Sequence, residues 1–167
     1  MQAALSNALQ QGWFPLIAAV DAGDGGAVRT MLQYGADANQ AVVAPSEHPT
    51  LMAWDWIGST ALSLAARKGH RPAVEILLGH EGTEVDKANP GSACTPAYVA
   101  AQNGHLEVVR VLADNGANLD LAKKDGFTPV CMAAYNGHHE IVRMLADKGA
   151  NLNLAKENGA TPVYMAA

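Results

Sequence analysis

The chain contains a series of short amphipathic segments separated by glycines. Spacings of three and four residues place apolar side chains on one face of a helix. Three such sets are Val74, Leu77 and Leu78; Val108, Val109 and Leu112; and Ile141, Val142 and Leu145. A second, alanine-rich segment precedes each set. The pattern therefore predicts pairs of short helices.

These helix pairs recur at a nearly fixed interval. Thr95-Pro96, Thr128-Pro129 and Thr161-Pro162 follow one another at 33 residues. Residues 93–125 and 126–158 share 20 of 33 positions without a gap. Self-similarity at such a period indicates stacked supersecondary units rather than one globular core. A stack of this kind usually presents a surface rather than a catalytic pocket.

The residues at the repeated positions suit the ends of helices. Threonine can cap the first helix, and proline is suited to its first turn. Paired alanines let neighbouring helices approach closely, and a glycine then ends the helix in left-handed backbone. These positions are Ala65-Ala66 with Gly69, Ala100-Ala101 with Gly104, and Ala133-Ala134 with Gly137.

The frame shared by these units is T-P-x-x-x-A-A-x-N-G-H-x-E-x-V-R-x-L-A-D-x-G-A-N-L-x-L-A-K, and it closely resembles the ankyrin repeat. An earlier copy starts at Thr60, and a degenerate one runs from Phe14 to Asn39. The resemblance covers about residues 14–167. It implies an all-α solenoid of helix–turn–helix units joined by β-hairpin-like fingers.

The frame also predicts the organisation of the domain. Residues 1–13 are expected to form an N-terminal capping helix, followed by the ankyrin repeat domain at 14–167. The predicted repeats cover about 14–57, 58–92, 93–125 and 126–158, with a partial repeat at 159–167. Gly23-Asp24-Gly25-Gly26 is interpreted as a helix stop and a tight turn in the first repeat.

Two irregularities interrupt the frame. A long insertion at 40–57 carries Trp54 and Trp56, which would share one face of a strand. These rings either pack on the first two repeats or offer aromatic anchors to a partner. The last unit stops at Ala167 after its first helix. We expect a fragment of a longer array, with a makeshift cap as the alternative.

Composition excludes several classes of function. The formal net charge is −5 and no dense Lys/Arg cluster occurs, so nucleic-acid binding is not expected. No apolar stretch of about 18 residues predicts a membrane span. The N-terminus lacks a signal-peptide pattern. Two cysteines at different frame positions favour free thiols and a reducing compartment, so we expect a cytoplasmic protein. We also expect a monomer.

Candidate catalytic and metal chemistry is weak. His70, His105 and His138 occupy one frame position in successive units. Packed layers lie about 10 Å apart, so these residues cannot share one zinc ion. They are expected to start the second helices and to hydrogen-bond locally. No acid–histidine pair accompanies Ser63 or Cys131, so we expect neither an enzyme nor a cofactor.

The resemblance implies that a partner protein lies across a concave face formed by the fingers and the first helices. Mapping the frame gives candidate positions in each unit, to which the inserted tryptophans are added. The predicted partner-binding residues are Trp54, Trp56, Ser59, Arg67, Lys68, Gln102, Asn103, Lys124, Phe127, Tyr135 and Asn136. Difference at these positions against sameness at packing positions fits a recognition surface, and it also fits drift at exposed sites.

The functional expectation is a scaffold or adaptor module that binds a protein partner without catalysis. One alternative is a targeting domain of a larger multidomain protein, such as an enzyme or a microbial host-interaction factor. Another is an architectural spacer. Phe127 and Tyr135 are expected to form an exposed aromatic corner, and replacing either is predicted to weaken binding with little loss of stability.

Overall fold

The computed structural model describes residues 15–42 and 58–154. Over this part of the chain four units each contain two short helices. In chain order the helices are α1 (Pro15–Asp21), α2 (Gly25–Gln33), α3 (Ala61–Lys68), α4 (Arg71–Leu78), α5 (Pro96–Gln102), α6 (Leu106–Asp114), α7 (Pro129–Tyr135) and α8 (His139–Asp147). The predicted helix 1–13, residues 43–57 of the insertion with Trp54 and Trp56, and the partial repeat 159–167 lie outside the described residues.

The helices form two rows. First helices pack on first helices in the order α1, α3, α5 and α7, and second helices pack in the order α2, α4, α6 and α8. The paired alanines of α3, α5 and α7 are all buried, as the frame predicts. Large apolar side chains fill the space between the rows, including Val20, Val28, Leu64, Leu77, Leu112 and Leu145.

Each first helix of units two to four begins at a threonine that caps it. The side chains of Thr60, Thr95 and Thr128 accept hydrogen bonds from the backbone N–H three residues later, which satisfies a donor that the helix leaves unpaired. The three threonines are 1–2% exposed. In α3, Ser63 completes a reciprocal capping box by accepting from the Thr60 N–H at 3.0 Å. The predicted capping is confirmed.

The glycines after the first helices of units two to four share one backbone conformation, and two of them have a second structural role. Gly69, Gly104 and Gly137 have φ values of 72°, 78° and 75°, the left-handed region that the sequence predicts. Two of them also lie against a histidine of the next unit. A Cβ at Gly69 would lie 2.6 Å from His105 Nδ1, and one at Gly104 would lie 2.8 Å from His138 Cε1.

The expected local hydrogen bonding of these histidines is wrong. His105 Nε2 donates to the carbonyl of Arg67 at 2.9 Å, and His138 Nε2 donates to the carbonyl of Gln102 at 3.1 Å. Neither ring caps its own helix. Each histidine therefore joins the start of the second helix in its own unit to the end of the first helix in the preceding unit, and so connects neighbouring units.

The fingers are turns rather than strands. Within residues 15–42 and 58–154 no residue is in a β-strand. Single backbone pairs close the fingers in a hairpin-like way, such as Lys123 N to Phe127 O at 2.9 Å and Asn89 N to Cys94 O at 2.9 Å. The predicted hairpin-like path holds, but these fingers are too short for a ladder.

Adjacent fingers are joined by side chains. In each case a side-chain oxygen of one finger accepts a hydrogen bond from a backbone N–H of the next. The Asn39 side chain accepts from Glu84 at 2.8 Å, and the Asp86 carboxylate accepts from Asn118 at 3.0 Å. The Asp120 carboxylate accepts from Asn151 at 2.8 Å. One aspartate or asparagine thus fixes each pair of neighbouring fingers.

One local prediction in the first unit is wrong. Gly25 and Gly26 belong to α2 and do not form a tight turn. Asp24 explains the difference, because its carboxylate accepts from Ala27 N–H at 2.9 Å and caps a helix that starts at Gly25. Only Gly23, with φ of 70°, makes the turn.

Candidate protein-binding surface

The predicted site residues that the structure describes lie at the ends of the first helices and in the last part of the fingers that precede those helices. We call this surface the first-helix face; its described members are Arg67, Lys68, Gln102, Asn103, Lys124, Phe127, Tyr135 and Asn136. The repeat itself brings them together, since each unit contributes the same two helix-end positions. Lys68, Gln102, Asn103, Lys124, Tyr135 and Asn136 are exposed.

Ser59 differs from the expectation of an exposed contact residue. Its residue exposure is 1%, and its hydroxyl accepts from Arg67 Nη2 at 2.8 Å. The Ser59 hydroxyl is buried, whereas Arg67 is only partly buried. The hydroxyl can therefore hold the guanidinium in one orientation through this hydrogen bond. We therefore assign Ser59 to positioning the guanidinium rather than to touching a partner.

A cavity of about 340 Å³ lies between the second and third units. Its lining residues are Ser59, Ser63, Arg67, Asn89, Ser92, Cys94, Val99, Gln102 and Asn103. Hydroxyl and amide groups dominate this lining, and Arg67 is the one ionised side chain among the lining residues that the structure describes. The frame positions predicted Arg67, Gln102 and Asn103, whereas the finger residues Asn89 and Ser92 had no signal in the repeat.

Gln102 connects this cavity with the fourth unit. Its backbone carbonyl accepts from Asn136 Nδ2 at 3.0 Å as well as from His138. Its side chain remains exposed beside the cavity. The amide of Asn103 is held by the Val99 carbonyl at 2.7 Å. The helix ends of the third and fourth units are thus fixed relative to each other.

An aromatic corner lies at the far end of the first-helix face. The rings of Phe127 and Tyr135 have centroids 6.2 Å apart and meet edge to face at 73°. Tyr135 is 65% exposed, the largest exposure of any large apolar or aromatic side chain that the structure describes. Phe127 is partly buried against the core, so the expectation that it is exposed is wrong. Its ring supports Tyr135 from the finger.

Charged groups fix the finger that carries Phe127. Burial alone would raise the pKa of the Asp125 carboxyl, but hydrogen bonds from Lys123 Nζ and the Phe127 N–H lower it overall. The Lys123 contact is 3.1 Å long. Lys124 next to it is exposed. In the second unit, Lys68 pairs with Asp21 at 2.8 Å, a surface contact of small net energy.

Other chemistry finds little support in the described chain. In residues 15–42 and 58–154, no group of three His, Cys, Asp or Glu side chains could hold a metal ion. Over the same residues, no helix has the length and apolar character to cross a bilayer. Cys94 and Cys131 are free thiols. Burial raises the pKa of the Tyr98 hydroxyl well above its usual value, which keeps that group neutral inside α5.

Comparison with known families decides the assignment of the fold. A family model described as ankyrin repeats in three copies matches residues 47–123 and 98–167, more than half of the chain. The chain belongs to the ankyrin repeat family. The two rows of helices, the threonine caps and the left-handed glycines are the physical form of this family's repeat in the described residues.

Ankyrin proteins from animals and plants are similar to part of this chain. Ankyrin repeat and SAM domain-containing protein 6 of Mus musculus is 35% identical over 42% of the chain. Cortactin-binding protein 2 of Rattus norvegicus is 39% identical over 41% of it, and ankyrin repeat-containing protein ITN1 of Arabidopsis thaliana is 40% identical over 38%. The matched segments span only 8%, 4% and 11% of those proteins' lengths.

Ankyrin repeats are general protein–protein interaction modules and typically have no catalytic activity. The family therefore supports the class of function that the sequence predicts for this chain.

Proposed function

We propose that this ankyrin domain recognises a partner protein through the first-helix face and that it performs no catalysis of its own. The observation that carries the proposal is the aromatic corner. Tyr135 exposes 65% of its surface while the ring of Phe127 fixes its position. An exposed, pre-positioned tyrosine supplies much contact area at small entropic cost, which is why such residues dominate many interfaces.

The neighbouring polar groups support the same face. Gln102, Asn136 and the cavity beside Arg67 present hydrogen-bonding groups around the aromatic corner. Interfaces commonly surround an aromatic anchor with a polar rim. Because the repeat holds these groups on helix ends, little reorganisation is needed when a partner binds.

The proposal is tested by affinity capture with quantitative mass spectrometry. Wild type is compared with Tyr135→Ala and with Tyr34→Ala, a matched control because Tyr34 is an exposed tyrosine at the end of the second helix α2. We expect at least one protein to be captured by wild type and by Tyr34→Ala, and to be depleted roughly tenfold or more with Tyr135→Ala.

Equal capture by all three proteins would contradict the proposal, since the aromatic corner would then have no part in binding. Thermal unfolding of each variant shows whether depletion reflects lost contact or lost fold. Tyr135→Ala is preferred to Phe127→Ala because Phe127 packs against the core.

We further propose a reducing cellular compartment such as the cytoplasm. The two free thiols support it, since the cysteines of secreted proteins more often form disulfides.

A further inference from the structure

Asparagine followed by glycine occurs at the ends of three helices that the structure describes. Asn103-Gly104 follows α5, Asn115-Gly116 follows α6, and Asn136-Gly137 follows α7. Asn158-Gly159 lies outside the described residues. Because glycine has no Cβ to shield its backbone nitrogen, this dipeptide is prone to an intramolecular reaction of the asparagine side chain. The fold therefore places one reactive dipeptide in three different surroundings.

The reaction is deamidation, and water is its only co-reactant. The backbone nitrogen of the glycine bonds to the asparagine Cγ, and the Cγ–Nδ2 bond breaks. The released NH2 group leaves as ammonia with the proton of the glycine N–H, and the product is a cyclic succinimide. Water then adds to either carbonyl carbon of the ring and breaks that carbon's bond to nitrogen, which gives aspartate or isoaspartate.

All three glycine nitrogens are hydrogen-bonded in the folded chain, so deamidation requires a local opening of the helix end. Gly104, Gly116 and Gly137 donate to the carbonyls three residues earlier at 3.4, 3.1 and 3.0 Å. These lengths alone would favour reaction at Gly104, since its bond is the longest. The order of the three sites is decided by the other contacts that each opening breaks.

Contacts with another unit hold two of the three helix ends. Opening at Gly104 displaces the ring of His138, which lies 2.8 Å from the place of an added Cβ and bonds to the Gln102 carbonyl. Opening at Gly137 breaks the bond of 3.0 Å that Asn136 Nδ2 donates to the same carbonyl. Both openings therefore disturb the packing of the third unit on the fourth.

The helix end at Asn115 is held within its own unit. The side-chain amide of Asn115 donates to the Val111 carbonyl at 2.8 Å, and its backbone N–H bonds to Val111 and Leu112. Asn115 and Gly116 are both exposed, and a Cβ at Gly116 would meet no described atom within 4 Å. The described bonds that hold this dipeptide all lie within the third unit.

We infer that Asn115 is a modification site at which the folded chain deamidates spontaneously, whereas contacts between units protect Asn103 and Asn136. This inference is independent of the proposed function, which its failure would leave standing. Aspartate at position 115 places a carboxylate beside Asp114 at the C-terminal end of α6, where the helix dipole disfavours negative charge. Isoaspartate also adds one carbon to the main chain. Either product weakens the turn from α6 to its finger.

The test is incubation of the complete chain in mildly alkaline buffer, followed over time by trypsin digestion and mass spectrometry. Cleavage after lysine and arginine places the three dipeptides in separate peptides, 88–110, 111–123 and 125–143. We expect Asn115 to react about fivefold faster or more than the other two asparagines, a ratio that corresponds to about one hydrogen bond broken on opening. Chromatography separates the isoaspartate and aspartate products.

The unfolded chain is the control for the sequence. In urea the three asparagines should react at similar rates, because glycine follows each of them. Equal rates at Asn103, Asn115 and Asn136 in the folded chain would overturn the inference. So would an Asn115 that stays unmodified in the folded chain after the unfolded chain has reacted.

Removing one protecting side chain tests the cause of the protection. His138→Ala should raise the rate at Asn103 relative to that at Asn115 by about fivefold or more, whereas replacing the exposed His139 by alanine should leave this ratio unchanged. The ratio corrects for a general loss of stability, which would accelerate both sites. An unchanged ratio in His138→Ala would overturn the assignment of protection to contacts between units.

The effect of the products is measured on the same material. Ion exchange separates the forms that carry the added negative charge, and their thermal unfolding midpoint should be lower than that of the unmodified chain. An unchanged midpoint would overturn the weakening of the turn after α6.

Discussion

At the scale of single residues, a histidine at the start of the second helix connects two units. His138 bonds to the Gln102 carbonyl and fills the space beside Gly104, where a Cβ would collide with its ring. His139, the next residue, is exposed. Two adjacent histidines at the start of α8 thus have different surroundings, so the effect of replacing one can be compared with the effect of replacing the other.

We predict that His138→Ala lowers the free energy of unfolding by about 1–2 kcal/mol, because it removes one of the two donors to the Gln102 carbonyl and opens a gap between units. His139→Ala should change it by less than about 0.5 kcal/mol, as exposed substitutions usually do. Urea unfolding followed by circular dichroism measures both values. Equal effects of the two substitutions would show that the bond between units contributes nothing.

Gly69 provides a second residue-scale prediction. Gly69→Ala should destabilise the fold for two reasons. Left-handed backbone is unfavourable for alanine and should cost about 1–2 kcal/mol. The collision of the added Cβ with the His105 ring should add a cost of about 1 kcal/mol or more. Gly116→Ala is the control, since Gly116 has φ of 82° and a Cβ added there would meet no atom within 4 Å. Thermal unfolding should show a clearly larger loss of stability for Gly69→Ala than for Gly116→Ala. An equal loss in both variants would mean that backbone strain explains the destabilisation without the contact to His105.

At the scale of elements, each first helix of units two to four depends on a capping threonine. Thr128 is 1% exposed and caps α7, the helix that ends at Tyr135. Thr128→Ala should cost about 1–2 kcal/mol of stability, whereas Thr128→Ser retains the hydroxyl and should cost less than half as much. The measurement is chemical denaturation of the two variants. A serine variant as unstable as the alanine variant would assign the effect to the buried methyl group instead.

The fingers form a second kind of element, held by side-chain bonds between units. Asp86→Ala removes the acceptor for the Asn118 N–H, and we predict that this amide exchanges with solvent about tenfold faster or more. The Asn151 amide, held by Asp120, is an internal reference that should keep its rate. Hydrogen exchange followed by NMR gives both rates, and an unchanged Asn118 rate would mean that the finger contact is dispensable.

The elements that can be predicted from the sequence are those with strictly local causes. Threonine caps, left-handed glycines and paired alanines follow from residue type and spacing, so the pattern places α3 to α8. It does not place the start of α2, because the glycines beside Asp24 favour a turn, whereas the capping bond to Ala27 starts a helix there. Contacts between units, such as His105 to Arg67, need the stacking geometry that residue spacing does not supply.

The same distinction applies to the candidate site. Frame positions locate Arg67, Gln102 and Tyr135 on one face, because a repeat carries equivalent positions to equivalent places. Burial cannot be inferred in this way: the frame predicts that Ser59 and Phe127 are exposed, yet one positions a guanidinium and the other supports a ring. The side chains of each finger decide this, and they vary between units.

At the scale of the whole molecule, stability is expected to follow contacts between neighbouring units. Each unit packs on the next through both rows of helices, so a core change acts mainly on its own unit and its neighbours. Leu145→Ala, at a residue that is 0% exposed in α8, should cost about 2–5 kcal/mol locally. Hydrogen exchange should increase in α7 and α8 while α1 and α2 keep their protection. A uniform increase would instead indicate one cooperative unit.

Photo-crosslinking tests most directly whether a partner binds at the first-helix face. A photoreactive phenylalanine analogue is placed at position 135 on the first-helix face or at position 34 on the other row, and the chain is irradiated with its captured partner. We predict a covalent adduct from position 135 and none from position 34. Adducts from position 34 alone, or from neither position, would contradict recognition through the first-helix face.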